Sequence, residues 1–378
     1  MKILILTATL RHYATVIPLI SILRERRWEV IVFRFEHFWK YFEFLSALRK
    51  KRISQIYSEV PSFETTHLYL EKLMVKLASI LLDVVMPDVT ILMTEGILPC
   101  KALAKSSYCR DIPVLMYLQQ GILGKSFTKK FLYATRIAVS GRYLKDFLVE
   151  EGVDEKQIVV TGQPLYDKIE NSHMVSRSPG SKVIVYCTDN FPKNEATELA
   201  VIVCNAFRKL HNVELIMKIH PMEDEKLYKR ITKELGVDAL LLKNTNIFDV
   251  LQIAEVVVTS FSTAALDAMI LGKHVVTFNF TGKPDKFPYA SSGSALGVYD
   301  PEKLPDALNA VLYDEDIKVA LDMNMKNFVD QYVYSLDGHS GDRVADVVYQ
   351  MVCEKELRMD YSKKGVFGSQ SDLARGRK

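Results

Sequence analysis

Short apolar runs alternate with longer stretches of helical periodicity along most of the 378 residues. In the first half, 2–7, 29–34, 53–57, 88–93, 112–117, 135–139 and 157–160 are short and rich in Val, Ile and Leu, and read as strands. Apolar residues at helical spacing predict helices that include 14–26, 66–85, 98–108 and 141–151. Such alternation is the pattern of parallel strands joined by crossover helices. It lapses in the polar, turn-rich run from Asn171 to Ser181, which predicts an inter-domain linker. It then resumes with strands over 183–187, 213–219, 239–242, 256–259 and 274–278, separated by helices near 195–210, 223–235, 246–253 and 263–271. The expected fold is α/β, with two doubly wound domains over 1–168 and 182–335 facing each other across a cleft. Helices between 302 and 352 could pack on either half. A last helix over 336–353 precedes a basic, Gly- and Ser-containing tail, 354–378, expected to be disordered.

The most telling stretch is Thr259-Ser260-Phe261-Ser262-Thr263-Ala264-Ala265-Leu266-Asp267. An apolar strand runs into small hydroxyl residues and then into an apolar helix closed by Gly272. Free backbone N–H groups and the helix dipole favour a phosphate at such a turn. Asp267, about one turn into the helix, could accept hydrogen bonds from a ribose. A Ser/Thr-rich helix start also serves simply as an N-cap. The functional reading gains from Lys218-Ile219-His220-Pro221 and Thr188-Asp189-Asn190, which follow other strands of the same half. Ligands of open parallel sheets bind at the carboxyl ends of the strands. A leaving nucleoside diphosphate gains negative charge, and Thr188, Lys218, His220, Ser260, Ser262 and Thr263 offer the donors and cations it needs.

Net charge is only +3, and residues 354–378 alone supply it, with seven Lys or Arg against four Asp or Glu. A nearly neutral body argues against nucleic acid as the main partner. The five cysteines (100, 109, 187, 204 and 353) show no paired spacing, which fits reduced thiols in a cytoplasmic protein. The opening Met1–Leu6 reads as a first strand and not as a signal peptide, and no apolar run is long enough to span a membrane.

In their order along the chain, K-x-H-P at 218–221 and S-x-S at 260–262 followed by Asp267 resemble the nucleotide domain of GT-B transferases. The resemblance is nearest to the CDP-glycerol glycerophosphotransferase and capsular-polysaccharide transferase groups, and more distant to the non-hydrolysing UDP-N-acetylglucosamine 2-epimerases. Val139-Ser140-Gly141 with Val160-Thr161-Gly162-Gln163-Pro164, and Asp337-Gly338-His339 with Arg343, resemble two further segments of that pattern. The similarity covers roughly 85–350. It implies two Rossmann-like domains and transfer of a glycosyl or polyol-phosphate group from a nucleotide-diphosphate donor to a glycan or lipid-linked acceptor. The donor would be a substrate, and no further cofactor is called for. No D-x-D element ends a strand of the expected cleft, so metal independence is expected.

The chain departs from the glycerophosphotransferases at Leu118-Gln119-Gln120-Gly121, where they carry a W-H-G turn whose His is thought to be the base. Gln120 cannot accept a proton near neutral pH. Glu95, after the strand 88–93, is the nearest substitute; its alternative role is to cap the following helix. His12, in the first strand-to-helix turn, is a further acceptor-side candidate. Two other readings stay open: a UDP-sugar 2-epimerase, which needs several carboxylates where only Glu95 and Asp189 are well placed, and a sugar-nucleotide-binding protein without catalysis. Lastly, Phe38, Tyr41, Phe42, Leu45 and Leu48 at helical spacing, closed by Arg49-Lys50-Lys51-Arg52, suggest either a core helix or a peripheral contact with an anionic membrane at its cytoplasmic face.

Overall fold

The computed structural model describes residues 1–8, 10–35, 63–118, 131–167 and 182–363. The linker expected at Asn171–Ser181, the strand expected at 53–57, the aromatic and basic residues from Phe38 to Arg52, Gln120, and the tail beyond Lys363 lie outside the described residues. The chain forms two compact units. One takes the described residues up to 167 and those from Val333 onward; the other takes 182–332.

The first unit contains β1 (Lys2–Thr7), α1 (Leu10–Glu25), β2 (Glu29–Arg34), α2 (Phe63–Val85), β3 (Val89–Leu92), α3 (Leu98–Tyr108), β4 (Val114–Leu118), β5 (Arg136–Val139), α4 (Arg142–Glu150) and β6 (Ile158–Val160). The second contains β7 (Lys182–Cys187), α5 (Lys193–Phe207), β8 (Val213–Lys218), α6 (Glu225–Leu235), β9 (Ala239–Leu242), α7 (Ile247–Gln252), β10 (Val256–Thr259), α8 (Ala264–Ile270), β11 (His274–Phe278), β12 (Leu296–Val298) and α9 (Leu304–Tyr313). The helix α10 (Glu315–Val333) leads out of it, and α11 (Ser340–Lys363) belongs to the first unit.

Each unit is built on a six-stranded sheet, ordered β2-β1-β3-β4-β5-β6 in the first and β12-β11-β10-β7-β8-β9 in the second. Every pairing is parallel. These are the two Rossmann-like layers expected from the alternation. Because parallel sheets carry helices on both faces, their strands are apolar throughout, and β3, β4 and β10 are buried at every position. Helix boundaries follow local chemistry: Asp224 caps α6 by accepting from Lys226 N–H at 3.0 Å, and Gly236, at φ +63°, ends it in the left-handed conformation.

The C-terminal helices divide between the units. Leu304, Leu308, Val311 and Leu312 of α9 enter the second core beside Ile184, Met217 and Val258. Val344, Ala345, Val347, Val348 and Met351 of α11 enter the first, against Ile3, Ile5, Leu19, Leu23 and Ile91. The start of α11 is fastened by Asp167, whose carboxylate accepts from Ser340 N–H (3.0 Å) and Gly341 N–H (2.7 Å). Arg343 donates to Thr161 O at 2.8 Å and pairs with Asp337 at 2.7 Å, which holds the Asp337 carboxyl well below the usual carboxylate range. Gly162, at φ +79°, passes so close that a Cβ would collide with Ser340 Oγ. The D-G-x-x-x-x-R stretch thus clasps α11 to the end of β6.

Two expectations need correction. The helix read as ending at 353 continues to Lys363, sustained by good helix formers and by an Arg136–Glu354 pair at 2.9 Å, so the segment assigned to a tail begins as helix. The strand β12 was not foreseen, because three residues are too few to show alternation. Among the described residues no helix is long and apolar enough to cross a membrane.

If α11 completes the first core, Met351→Ala should cost about 2–5 kcal/mol there. Hydrogen exchange should then show lost protection in β1, β3 and α1 while β7 and β8 keep theirs; equal loss in both sheets would contradict the assignment.

Candidate functional site

In the second sheet Cys187, Lys218 and Leu242 lie side by side in register at the ends of β7, β8 and β9. The chain turns toward β8 from β7 and toward β11 from β10, while β7 and β10 are neighbours. This is the switch point of the sheet, and the loops that leave it open a crevice.

Hydrogen bonds lock three of these loops together. Thr188 N–H donates to Lys218 O at 3.0 Å, extending the β7–β8 ladder by one bond. The Thr188 hydroxyl accepts from His220 N–H at 2.8 Å and donates to the Glu223 carboxylate. Glu223 N–H in turn donates to His220 O at 2.9 Å. Lys218 Nζ donates to Lys243 O (2.8 Å), and Lys243 Nζ donates to Glu223 O (2.7 Å). Pro221, which has no N–H, cannot prolong the strand. Met222 N–H donates to His220 Nδ1 at 3.2 Å, so the neutral imidazole carries its proton on Nε2.

On the far side, β10 ends in Thr259, whose hydroxyl donates to Cys187 O at 3.0 Å, and the turn 260–263 leads into α8. The capping reading of this turn is met by Ser262, whose Oγ accepts from Ala264 N–H at 3.2 Å; Thr263 makes no side-chain cap. Tyr289, fully buried, donates to Ser262 O at 3.3 Å and braces the turn from beneath.

Together these loops line a pocket of about 450 Å³ formed by Cys187, Thr188, Lys218, Ile219, His220, Pro221, Lys243, Asn244, Thr245, Ile247, Ser262, Thr263, Ala264 and Asp267. Six of the nucleotide-site candidates therefore meet in one place: Thr188, Lys218, His220, Ser262, Thr263 and Asp267. Two do not line it. Ser260 lines an adjacent cavity of only about 10 Å³ with Asn279, Asp285 and Tyr299. Asp189 instead accepts the N–H of Asn190 at 3.0 Å. Lys243, Asn244 and Thr245 were missed. Their signal was available, since a polar run directly after the strand 239–242 obeys the same rule that singled out Lys218 and Ser260.

Lys218 is 7% exposed, and burial lowers its pKa. Among the described residues no carboxylate forms an ion pair with it; its ammonium donates to the Lys243 carbonyl. Burial likewise pushes the Cys187 thiol up to about 12, so it stays protonated. Behind the pocket, burial raises the Glu223 carboxyl, an effect opposed by hydrogen bonds from Thr188 and Tyr228.

In the first unit, Glu95 is buried and does not cap α3: its oxygens accept from Leu132 N–H (3.0 Å) and Tyr133 N–H (3.2 Å). Burial raises its pKa and these backbone donors lower it. His12 falls in the first turn of α1, with its side chain outside the described residues.

A family model described as CDP-glycerol:poly(glycerophosphate) glycerophosphotransferase matches residues 147–350, more than half of the chain and the whole of this pocket. The chain belongs to that family. No curated protein matches it. Solved structures similar to it include the Staphylococcus aureus MnaA–UDP co-structure (13% identity, TM-score 0.64, covering 92% of this chain and 95% of that one). The UDP-GlcNAc 2-epimerase from Neisseria meningitidis bound to UDP-GlcNAc is also similar (13%, TM-score 0.63, 93% and 100%). So is a glycosyltransferase from Rickettsia africae (12%, TM-score 0.58, 93% and 98%). At such identities the likeness establishes the two-domain GT-B fold.

The raised pKa of Glu223 has a signed consequence. Its contribution to stability is complete below the unfolded-state value, about 4.3, and is lost as pH rises through the higher folded-state value. Glu223→Gln escapes that loss. The Tm of the variant relative to wild type should therefore climb between pH 4 and pH 8; a flat difference would mean that Glu223 titrates as an exposed acid does.

Proposed function

We propose that the protein is a metal-independent GT-B transferase that moves a glycosyl or polyol-phosphate group from a nucleotide-activated donor to a surface-glycan or lipid-linked acceptor. The observation that carries this reading is the pocket at the switch point of the second sheet, where a buried Lys218 without an acidic partner faces the hydroxyls of Ser262 and Thr263. As the donor bond breaks, negative charge grows on the leaving diphosphate. Lys218 supplies a fixed positive charge, and the Nε2–H of His220 supplies a hydrogen bond that strengthens as that charge develops. Asp267 takes the ribose hydroxyls. Ser262 Oγ spends a lone pair on Ala264 N–H and keeps its own hydrogen for a phosphate oxygen. On the acceptor side, Glu95 is the carboxylate of this reading. The amides of Leu132, Tyr133 and Ala134 leave one of its about four lone-pair sites for an acceptor hydroxyl, and burial moves its pKa toward the working range of a base. His12 and Gln120 complete that side.

Ser262→Ala with Thr263→Ala removes two phosphate donors, each worth about 0.5–1.5 kcal/mol and more against a charge. Calorimetry with UDP, CDP, GDP and dTDP should show at least a several-fold loss for whichever nucleotide the wild type binds. Turnover of the matching donor should persist in excess EDTA. Unchanged affinity in the double variant removes this turn from the site, and strict dependence on added magnesium or manganese refutes the metal-independent mechanism.

We further propose that the protein works at an anionic membrane surface without crossing it. On α2, Leu73, Leu77, Ile80 and Val84 are exposed at helical spacing and make one apolar stripe, with exposed Lys72 and Lys76 along its edge. Sedimentation with anionic vesicles should carry down the wild type more than a protein with these four apolar residues replaced by Ser. Equal sedimentation, or none for the wild type at low salt, would remove this stripe as a membrane contact.

A further inference from the structure

The two lysines of the pocket are interlocked. Lys218 Nζ donates to the backbone carbonyl of Lys243, and Lys243 Nζ donates to the backbone carbonyl of Glu223. A carbonyl dipole fixes an ammonium in place without cancelling its charge. Each ammonium has three donors and spends one in this way, so two remain on each. Glu223, whose carbonyl closes this circuit, turns its side chain to the Thr188 hydroxyl, and among the residues lining the pocket Asp267 is the one carboxylate. Two positive charges are thus held at the ends of adjacent strands, one of them buried and without an acidic partner, an arrangement costly to the protein unless an anion completes it.

We propose that Lys243 is a second anion-binding residue of this pocket, and that Lys218 and Lys243 together select a diphosphate over a monophosphate. The inference rests on the nucleotide-donor reading for the nucleoside, and on the two ammonium groups alone for the diphosphate. A monophosphate satisfies Lys218, whereas the additional charge and oxygens of a diphosphate engage both.

The test uses the full chain, with the substitution Lys243→Met. It removes one ammonium but leaves the Lys243 carbonyl, and hence the anchor of Lys218, in place. Calorimetry with UDP, CDP, UMP, CMP, inorganic pyrophosphate and inorganic phosphate should show about tenfold weaker binding of the diphosphates and of pyrophosphate, and less than about threefold change for the monophosphates. Lys243→Arg should recover most of the loss, because the charge returns even though the geometry differs; this arm separates a charge effect from a packing defect. Unchanged diphosphate affinity in Lys243→Met, an equal loss for monophosphates and diphosphates, or no recovery in Lys243→Arg would each overturn the proposal. Pyrophosphate binding that depends on Lys243 in a protein that binds no nucleotide would uphold this inference while defeating the nucleotide reading. A wild type that binds neither defeats both.

Discussion

The hydroxyl of Thr188 stands where β7 gives way to its loop, and it is used twice. It accepts the His220 N–H that would otherwise be unpaired beyond the last rung of β8, and it passes its own hydrogen to Glu223. A hydroxyl can do both because donor and acceptor occupy different directions on one oxygen. Through that atom the ends of two strands and the loop after β8 become one rigid piece. The Lys218–Lys243–Glu223 chain of bonds then extends it to β9. Groups that stabilise a developing charge act best when they need no reorganisation at the moment of reaction, and a hydrogen-bonded ring at the rim of a parallel sheet provides that rigidity.

Most of this architecture was legible in the sequence. Strands such as those at 88–93 and 256–259 are short apolar runs, buried at every position of Val89–Leu92 and Val256–Thr259, so tertiary context had little room to override the pattern. Six of the pocket residues were found by one rule, that chemistry follows the carboxyl end of a strand. Lys243 obeys the same rule and was passed over because Asn244 and Thr245 around it resemble an ordinary loop. Glu223 was not legible at all. Its part depends on a contact with Thr188, 35 positions away, which no local pattern encodes. Nor was the course of α11 beyond 353, where charge and polarity suggested a tail although Glu354 was already committed to Arg136.

Glu95 shows the opposite case, a residue chosen for its chemistry that also has a scaffold duty. Its carboxylate gathers the amides of Leu132 and Tyr133, just ahead of β5. Backbone N–H groups at a bend have no ladder partner and must find an acceptor when buried. A buried carboxylate gains as well, since those donors offset part of the cost of taking its charge out of water. The atoms proposed to meet the acceptor are therefore the ones that hold this bend.

The path of the chain bears on the order in which it folds. The first unit is left at Asp167 and re-entered from Val333, and its core contains Val344, Val348 and Met351. A growing chain releases residues 182–332 from the ribosome before those side chains exist outside it, and domains settle as units once complete. The second unit, with its pocket, is therefore finished first. The sheet that begins with Lys2 has α1 on this face from the start, and the face is completed only when the last helix arrives.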